Sequence, residues 1–201
     1  MIVLMRHAHT AQAKGRCVGR TDVPLSVQGI AQAEEAAEAL SGAGFVRLCA
    51  SPSGRARDTL APLADCLSMR ADVLFDLDEI DMGEWDGLFF SDIRARFPDA
   101  YAERGSRFGG FRPPGGESFN DAADRAMAVL GRLASGPRPV LAVTHAGVIR
   151  AVLCRLTGHP MDDPFRFAPG HCRCTLLTPT EAGLDLAAEN LSPADVASYL
   201  S

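Results

Sequence analysis

Lysine is almost missing from this sequence: Lys14 is the only one, and the other 19 basic residues are arginine. Acidic residues outnumber basic ones by 25 to 20, and the formal net charge is −5. Nonspecific binding to nucleic acid or to an anionic membrane needs a positive field, so we expect neither partner. The arginines remain candidate ligands for phosphate oxygens, because the guanidinium fork matches them.

Long hydrophobic runs are also missing. No apolar stretch approaches the roughly 18 residues of a membrane span. The first residues, Met-Ile-Val-Leu-Met-Arg-His, do not form the basic segment, apolar core and cleavage site of a secretory signal. We therefore expect a cytoplasmic protein. Repeats and low-complexity segments are absent, and the 201 residues, 47% of them hydrophobic, are typical of one globular domain.

The six cysteines lack the spacing of a zinc site, because no Cys-x-x-Cys pair is joined by a second pair or by two spaced histidines. His7 and His9 could share one face and hold a metal, but no third ligand is evident. We expect no metal and no cofactor. Cys49 and Cys154 stand among apolar residues and are expected in the core.

Short apolar runs alternate with helical patterns, which predicts an α/β fold: a three-layer structure with a mostly parallel sheet and helices on both faces. The predicted strands cover 2–5, 45–50, 73–75, 139–144, 172–177 and 184–188. The predicted helices cover 26–40, 54–67, 117–133, 148–156 and a last one after Ser192-Pro193. Residues 88–116 are arginine-rich, and we expect them to form a lid-like insertion in a single domain spanning 1–201.

Polar residues follow several of the predicted strands, and in open α/β sheets ligands bind beyond the carboxyl ends of the strands. The first strand is followed by Arg6-His7-Ala8-His9-Thr10, the second by Ser51-Pro52-Ser53-Gly54-Arg55, and the fourth ends in Thr144-His145-Ala146-Gly147. An acidic group of Asp76, Asp78, Glu79 and Asp81 follows the third strand. We expect two histidines, two arginines and a carboxylate to meet at one rim.

These residue types suit phosphoryl transfer without a metal. Arginines near helix starts can bind a phosphate group, and a histidine can attack phosphorus. A second histidine can stabilise charge on the phosphoryl oxygens, and a carboxylic acid can protonate the leaving oxygen. Structural alternatives stay open at this point: His145 could cap a helix, Arg55 could be an ordinary first-turn residue, and the carboxylates, Glu84 included, could be solvated.

Six motifs, in order, carry a resemblance to a known family. They are LMRHAHT at 4–10, GRTDVPLSVQG at 19–29, SPSGRARDT at 51–59, LDEIDMGEWDG at 77–87, PPGGESFNDAADR at 113–125 and VTHAGVIRAVL at 143–153. Together they make the chain similar to the histidine phosphatase superfamily, also called phosphoglycerate-mutase-like. The resemblance implies the phosphoglycerate-mutase-like fold and a reaction that proceeds through a phosphohistidine.

The resemblance also implies roles for individual residues. His7 corresponds to the nucleophile, Arg6 and Arg55 to the phosphate clamps, His145 to the second histidine of the pocket, and Glu79 to the general acid and base. The implied substrate-binding set is Arg6, Thr10, Gly19, Arg55, His145 and Ala146. The other notable side chains receive structural interpretations: Trp85 in the core, and His159 and His171 structural or exposed.

Two departures from the family pattern bear on substrate and rate. Ala8 and His9 stand where the family usually has glycine followed by glutamate or glutamine, and Ala13 stands where an asparagine is often found. Ala8 adds a methyl group where the backbone of the family passes close to the phosphate. The five residues implied in the chemistry are all present.

The pattern RHAHT with GRCVGRTDVPLS, the chain length and the acidic pI are similar to those of bacterial alpha-ribazole phosphatases of cobalamin synthesis. A phosphoglycerate mutase or a broad-specificity phosphatase is the alternative, and a phospholigand-binding module with low activity is an alternative of another class. The expected partner is a phosphorylated small molecule. The oligomeric state stays open, with a homodimer as one alternative.

Overall fold

The computed structural model describes residues 1–11 and 13–200, and within them apolar runs form strands while amphipathic stretches form helices. The strands are β1 (Ile2–Arg6), β2 (Arg47–Ala50), β3 (Ala71–Val73), β4 (Val140–Thr144), β5 (Cys174–Thr180) and β6 (Gly183–Leu191). The α-helices are α1 (Val27–Leu40), α2 (Gly54–Leu67), α3 (Phe90–Arg96), α4 (Pro98–Ser106), α5 (Phe119–Ala134), α6 (Ala146–Thr157) and α7 (Pro193–Leu200). None of these helices is long and apolar enough to cross a membrane.

The six strands form one sheet in the order β3-β2-β4-β1-β5-β6. The first four are parallel, whereas β5 and β6 are antiparallel to their neighbours. Helices cover both faces of the sheet, so the predicted three-layer, mostly parallel α/β fold is confirmed. The register pairs Met5 with Val143 and Arg6 with Thr144, which brings the carboxyl ends of β1 and β4 side by side.

The core divides into two layers because successive residues of a strand point to opposite faces. Val3 and Met5 pack on one face with residues of α1, α2 and α7. Ile2 and Leu4 pack on the other face, where Leu130 of α5 lies among residues of α6. Both layers consist of buried, closely packed apolar side chains, and the central strands lie between them.

Helix caps account for two predicted starts. Ser26 accepts a hydrogen bond from the amide of Gly29 at 3.0 Å and begins α1, as predicted. Ser118 and Asp121 form a reciprocal capping box, so α5 begins at Phe119, two residues later than predicted. The capped ends satisfy amide groups that would otherwise lack a partner.

The boundaries of several other elements were predicted wrongly. Strand β2 begins at Arg47 rather than at 45, and β6 covers Gly183–Leu191 rather than 184–188. Strand β5 covers Cys174–Thr180 rather than 172–177, because its pairing with β1 begins at Met5 and Cys174.

The third strand covers 71–73 rather than 73–75, because its register against β2 pairs Leu48 with Ala71 and Ala50 with Val73. Residues Phe75–Leu77 form a short 3-10 helix instead. Helix α6 begins at Ala146 rather than Val148, because a glycine at 147 does not prevent the turn.

The arginine-rich segment 88–116 forms α3 and α4 and packs around Trp85, which is fully buried as expected. The Trp85 ring lies 5.1 Å from the ring of Phe111 and 6.2 Å from that of Phe97. This aromatic cluster anchors the segment beside the carboxyl ends of the strands.

Candidate active site

The carboxyl ends of β1, β4 and β2 meet in space. The amide of His7 donates to the carbonyl of Thr144 at 2.9 Å, and the amide of Ser51 donates to the carbonyl of Val143 at 3.0 Å. The chain therefore leaves all three strands at the same edge of the sheet. This is the edge at which open α/β sheets bind ligands.

A cavity of about 260 Å³ opens at this edge. Of the residues predicted for the site, Arg6, His7, Thr10, Arg55, Glu79 and Ala146 line it. Gly19 and His145 were predicted there as well, and they contact the lining residues from behind. The cavity is of the size that holds a small molecule.

His7 is buried and oriented by its own backbone. Its Nδ1 lies 2.8 Å from the carbonyl oxygen of Ala8, so Nδ1 carries the proton and donates it. Burial, assisted by the charges of Arg55 and Arg6 and opposed by this hydrogen bond, lowers the pKa of His7 to about 3. The ring is therefore neutral at physiological pH, and the lone pair on Nε2 is available for nucleophilic attack.

His145 lies behind His7, with 5.2 Å between the ring centroids, and its side chain is fully buried. Nδ1 of His145 accepts from Nε of Arg55 at 3.3 Å, so its proton sits on Nε2, which lies 2.6 Å from Oγ of Ser51. Burial is the main reason that its pKa falls well below the usual value. Both ring nitrogens of His145 are thus engaged within the protein.

Arg55 is the second residue of α2 and is almost fully buried. Its Nη1 donates to the carbonyl of Thr21 at 2.9 Å and its Nη2 to the carbonyl of Gly19 at 2.6 Å. The amide of Gly19 donates to a carboxylate oxygen of Asp86 at 2.8 Å. Gly19 thereby holds the guanidinium of Arg55 in place at the wall of the cavity.

Arg6 has a donor without a partner. Its Nη1 donates to the carbonyl of Pro169 at 2.9 Å, but its buried Nε has no hydrogen-bond partner within residues 1–11 and 13–200. Burial is the main cause that lowers the pKa of Arg6 to about 10, and the guanidinium still stays charged near neutral pH. A buried cationic donor of this kind favours an anionic ligand.

Glu79 is the carboxylate of this group that lines the cavity. Its Oε1 accepts from the amide of Ile80 at 3.0 Å, and its Oε2 accepts from the amide of Gly147 at 3.3 Å. Burial raises its pKa, and these two amides together with Arg55 and Arg6 oppose the rise. A carboxyl group with a raised pKa keeps part of its population protonated and can act as a general acid.

The four competing carboxylates have structural partners or lie off the cavity wall. Asp78 accepts from Oγ of Ser53 at 2.8 Å and from the amide of Glu79 at 2.9 Å. Asp76 pairs with Arg132, Asp81 pairs with Arg20, and Glu84 is outside the lining set. The geometry thus separates Glu79 from neighbours that chemistry alone could not distinguish in the sequence.

Two further histidines, His9 and His171, lie near His7 and have different surroundings. Nδ1 of His9 lies 2.8 Å from Oγ of Ser26, the N-cap of α1. His171, interpreted from the sequence as structural or exposed, is half-buried beside His7: its Nδ1 lies 3.0 Å from the carbonyl oxygen of His7, with 5.5 Å between the rings. No local pattern marked His171, because the antiparallel strand β5 brings it there.

Sequence reasoning also missed Arg150 and Phe165, which line the cavity with Phe90, Arg104 and Phe108 of the segment 88–116. A signal for Arg150 was present in the sequence, because it stands four residues after Ala146 and therefore on the same helix face. Phe165 carries no such signal, since it comes from an irregular segment distant in sequence.

Comparisons with known proteins point to one family. Residues 2–192 match the histidine phosphatase superfamily (branch 1). A metal-independent phosphoserine phosphatase of Arabidopsis thaliana is 36% identical over 163 residues, covering 78% of this chain and 68% of the relative. The solved mycobacterial glucosyl-3-phosphoglycerate phosphatase is 29% identical with a TM-score of 0.83, covering 95% of this chain and 98% of that one.

The alpha-ribazole phosphatase from Shigella flexneri has a similar structure, with a TM-score of 0.86 and coverage of 96% of each chain. Its sequence identity is 23%. At that level the similarity concerns the fold alone.

Proposed function

The chain belongs to the histidine phosphatase superfamily, and from this premise we propose that this phosphatase hydrolyses small phosphate monoesters through a phosphohistidine on His7, without a metal ion. The observation that carries the proposal is the state of His7. Its ring is neutral, its Nδ1 proton is held by the carbonyl of Ala8, and it shares one cavity with Arg6, Arg55 and Glu79.

The first step forms a bond between Nε2 of His7 and the phosphorus atom and breaks the bond between phosphorus and the ester oxygen. Glu79 gives its proton to that oxygen, so the alcohol leaves neutral. Arg6 and Arg55 neutralise the phosphoryl oxygens. In the second step water attacks phosphorus, Glu79 takes a proton from the water, and the bond between phosphorus and nitrogen breaks.

His145 supports this arrangement from behind. Its hydrogen bond with Nε of Arg55 orients the guanidinium, and its contact with Ser51 ties the ring to the end of β2. Direct contact between His145 and a phosphoryl oxygen, the role that the family resemblance implies, requires one of these hydrogen bonds to be exchanged when substrate binds.

The decisive experiment measures hydrolysis of p-nitrophenyl phosphate in excess chelator and traps the phosphoenzyme. His7→Ala should abolish both turnover and the acid-labile, alkali-stable label that marks a phosphohistidine. His9→Ala is the matched control, since His9 lies in the same segment and contacts Ser26. The proposal fails if chelator removes the activity and zinc restores it, or if His7→Ala keeps the label.

Alpha-ribazole 5′-phosphate remains a candidate substrate on the sequence pattern. Four phenylalanines line the cavity and could stack on a planar base: Phe90, Phe108, Phe119 and Phe165. Turnover of this ester should be compared with that of 3-phosphoglycerate and of an aryl phosphate. A larger kcat/KM for alpha-ribazole 5′-phosphate, abolished in His7→Ala, would place the enzyme in cobalamin synthesis; equal values would remove that assignment.

A further inference from the structure

The cavity carries more positive charge than one phosphate group requires. Five arginines line it, Arg6, Arg16, Arg55, Arg104 and Arg150, against one carboxylate. The chain as a whole has a formal net charge of −5, so this concentration runs against its composition. Arg6 and Arg55 line the cavity with His7 and are proposed to bind the reacting phosphate. The remaining lining arginines, Arg16, Arg104 and Arg150, have no assigned ligand group.

The guanidinium of Arg104 on α4 has no carboxylate and no hydrogen-bond acceptor as a partner in the part of the chain that the structure describes. Its guanidinium lies 4.4 Å from the centre of the Phe108 ring, and burial lowers its pKa. The contrast with its neighbours is sharp, since Arg107 pairs with Glu103 and Arg112 pairs with Asp121. Of these three arginines, the one on the cavity wall is the one without an acid.

Arg150 on α6 is in a similar position. Its Nε donates to the carbonyl of Phe167 at 3.0 Å, and its guanidinium lies 5.1 Å from the centre of the Phe165 ring. No carboxylate within ion-pair distance is described for it. Burial lowers its pKa, and Glu79 opposes that shift from a distance.

The aromatic rings that contact the guanidinium groups of Arg104 and Arg150 also contact each other. The Phe108 ring, which supports Arg104, lies 5.1 Å from the Phe165 ring, which supports Arg150. The guanidinium groups are thus half-desolvated, backed by aromatic faces and open to the same cavity. Keeping a charge away from water without a partner is unfavourable, and an anionic ligand group relieves that cost.

We propose that Arg104 and Arg150 bind a second anionic group of the substrate, so that the preferred substrates are phosphate monoesters that also carry a carboxylate or another phosphate. This inference rests on the proposed phosphatase reaction and adds the substrate class. It also ranks the candidates, since alpha-ribazole 5′-phosphate has no anionic group besides its one phosphate and should be a poorer substrate than a phosphorylated acid.

Matched pairs of esters test the subsite. D-3-phosphoglycerate and sn-glycerol 1-phosphate share the configuration at C2 and differ in one group, which is a carboxylate in the first and a hydroxymethyl group in the second. Propanediol bisphosphate and hydroxypropyl phosphate form the corresponding pair for a second phosphate. We expect kcat/KM to be about 10- to 100-fold higher for the anionic member of at least one pair, the range of a charge-assisted hydrogen bond, and the pair that shows it identifies the anion.

The variants Arg104→Met and Arg150→Met keep the apolar stem of the side chain and remove the charge. Each should shrink the preference, which is the ratio of kcat/KM for the anionic member to kcat/KM for the other member, about 10-fold. Arg107→Met is the matched control, because it removes a charge three residues from Arg104 that already pairs with Glu103. Its preference should equal that of the wild type.

Three results overturn the inference while the phosphatase reaction stands. The wild type could treat both members of each pair alike, the preference could survive in both variants, or Arg150→Met could slow both members equally, which would assign Arg150 to the reacting phosphate.

Failure to hydrolyse any ester, p-nitrophenyl phosphate included, contradicts the reaction itself. The subsite is then tested by calorimetric binding of D-3-phosphoglycerate and sn-glycerol 1-phosphate. Loss of the difference in affinity in Arg104→Met supports the subsite, and no difference in the wild type overturns it.

Discussion

Gly147→Ala should displace the carboxylate of Glu79, the proposed general acid, without changing that residue itself. Gly147 is the second residue of α6, and its amide donates to Oε2 of Glu79 at 3.3 Å. A Cβ atom at this position would lie 2.4 Å from Oε1 of Glu79 and 2.9 Å from Cδ1 of Ile80. The carboxylate therefore has to move away from the helix to admit one methyl group.

The size of the effect follows from these distances. Ordinary contacts of a Cβ atom begin at 3.4 Å, so the Glu79 carboxylate must retreat by about 1 Å, and a displacement of that size costs about 100-fold in rate. The loss should appear in kcat/KM for an alkyl phosphate. It should be smaller for p-nitrophenyl phosphate, whose leaving group needs less protonation.

Gly131→Ala is the matched control. Gly131 lies in α5, and a Cβ atom there has no heavy atom within 4 Å. The substitution should stabilise the protein by about 0.5–1 kcal/mol through helix propensity and leave turnover unchanged. Thermal unfolding of both variants checks that they fold.

The reasoning is refuted if folded Gly147→Ala hydrolyses the alkyl ester within about twofold of the wild type. The carboxylate beside Gly147 would then not be the proton donor. An equal loss on the alkyl and aryl esters would also contradict the assignment, because it would point to a damaged phosphate site rather than to a displaced acid.

Two further predictions concern buried charge. Acid should destabilise the fold, because burial lowers the pKa of His7 to about 3 and that of His145 well below 6.5, so the unfolded chain takes up protons that the folded chain refuses. Each histidine lowers the free energy of unfolding by up to about 1.4 kcal/mol per pH unit below pH 6.5. Urea unfolding between about pH 7 and pH 5 measures this loss, and His7→Asn should reduce the dependence of stability on pH. A pH dependence that His7→Asn leaves unchanged contradicts the burial argument. Arg55→Lys keeps the charge but loses the two guanidinium nitrogens that bind the carbonyls of Gly19 and Thr21. We expect kcat/KM to fall about 100-fold and limited proteolysis near Gly19 and Thr21 to accelerate. A loss of kcat/KM below about threefold would show that charge alone suffices.

Local patterns accounted for most of the secondary structure. Ser26 has the chemistry of an N-cap and begins α1, and the apolar run ending at Thr144 forms β4. Patterns failed where pairing decides the outcome. The strand predicted at 73–75 lies at 71–73, because hydrogen bonds to β2 choose the register and a short apolar run does not encode it.

The candidate site was predicted through an ordered set of motifs rather than through physics alone. Residue types and strand ends indicated a phosphate site with His7 and Arg55, but the choice of Glu79 among five acidic residues needed the family register. The structure supplies a physical reason for that choice: burial raises the pKa of Glu79, and the amides of Ile80 and Gly147 hold its carboxylate at the cavity.

The sequence by itself determined the α/β class and the N-cap of α1, and it singled out the candidate reacting groups, because periodicity, caps and short motifs are local properties of the chain. The tertiary structure alone showed that Arg104 and Arg150 share the cavity with residues that the sequence had placed there. Arg104 comes from one segment and Arg150 from another, and Phe108 and Phe165 bring them together. Their missing counter-charge is likewise a property of the fold, because burial and partnership depend on contacts between residues far apart in sequence.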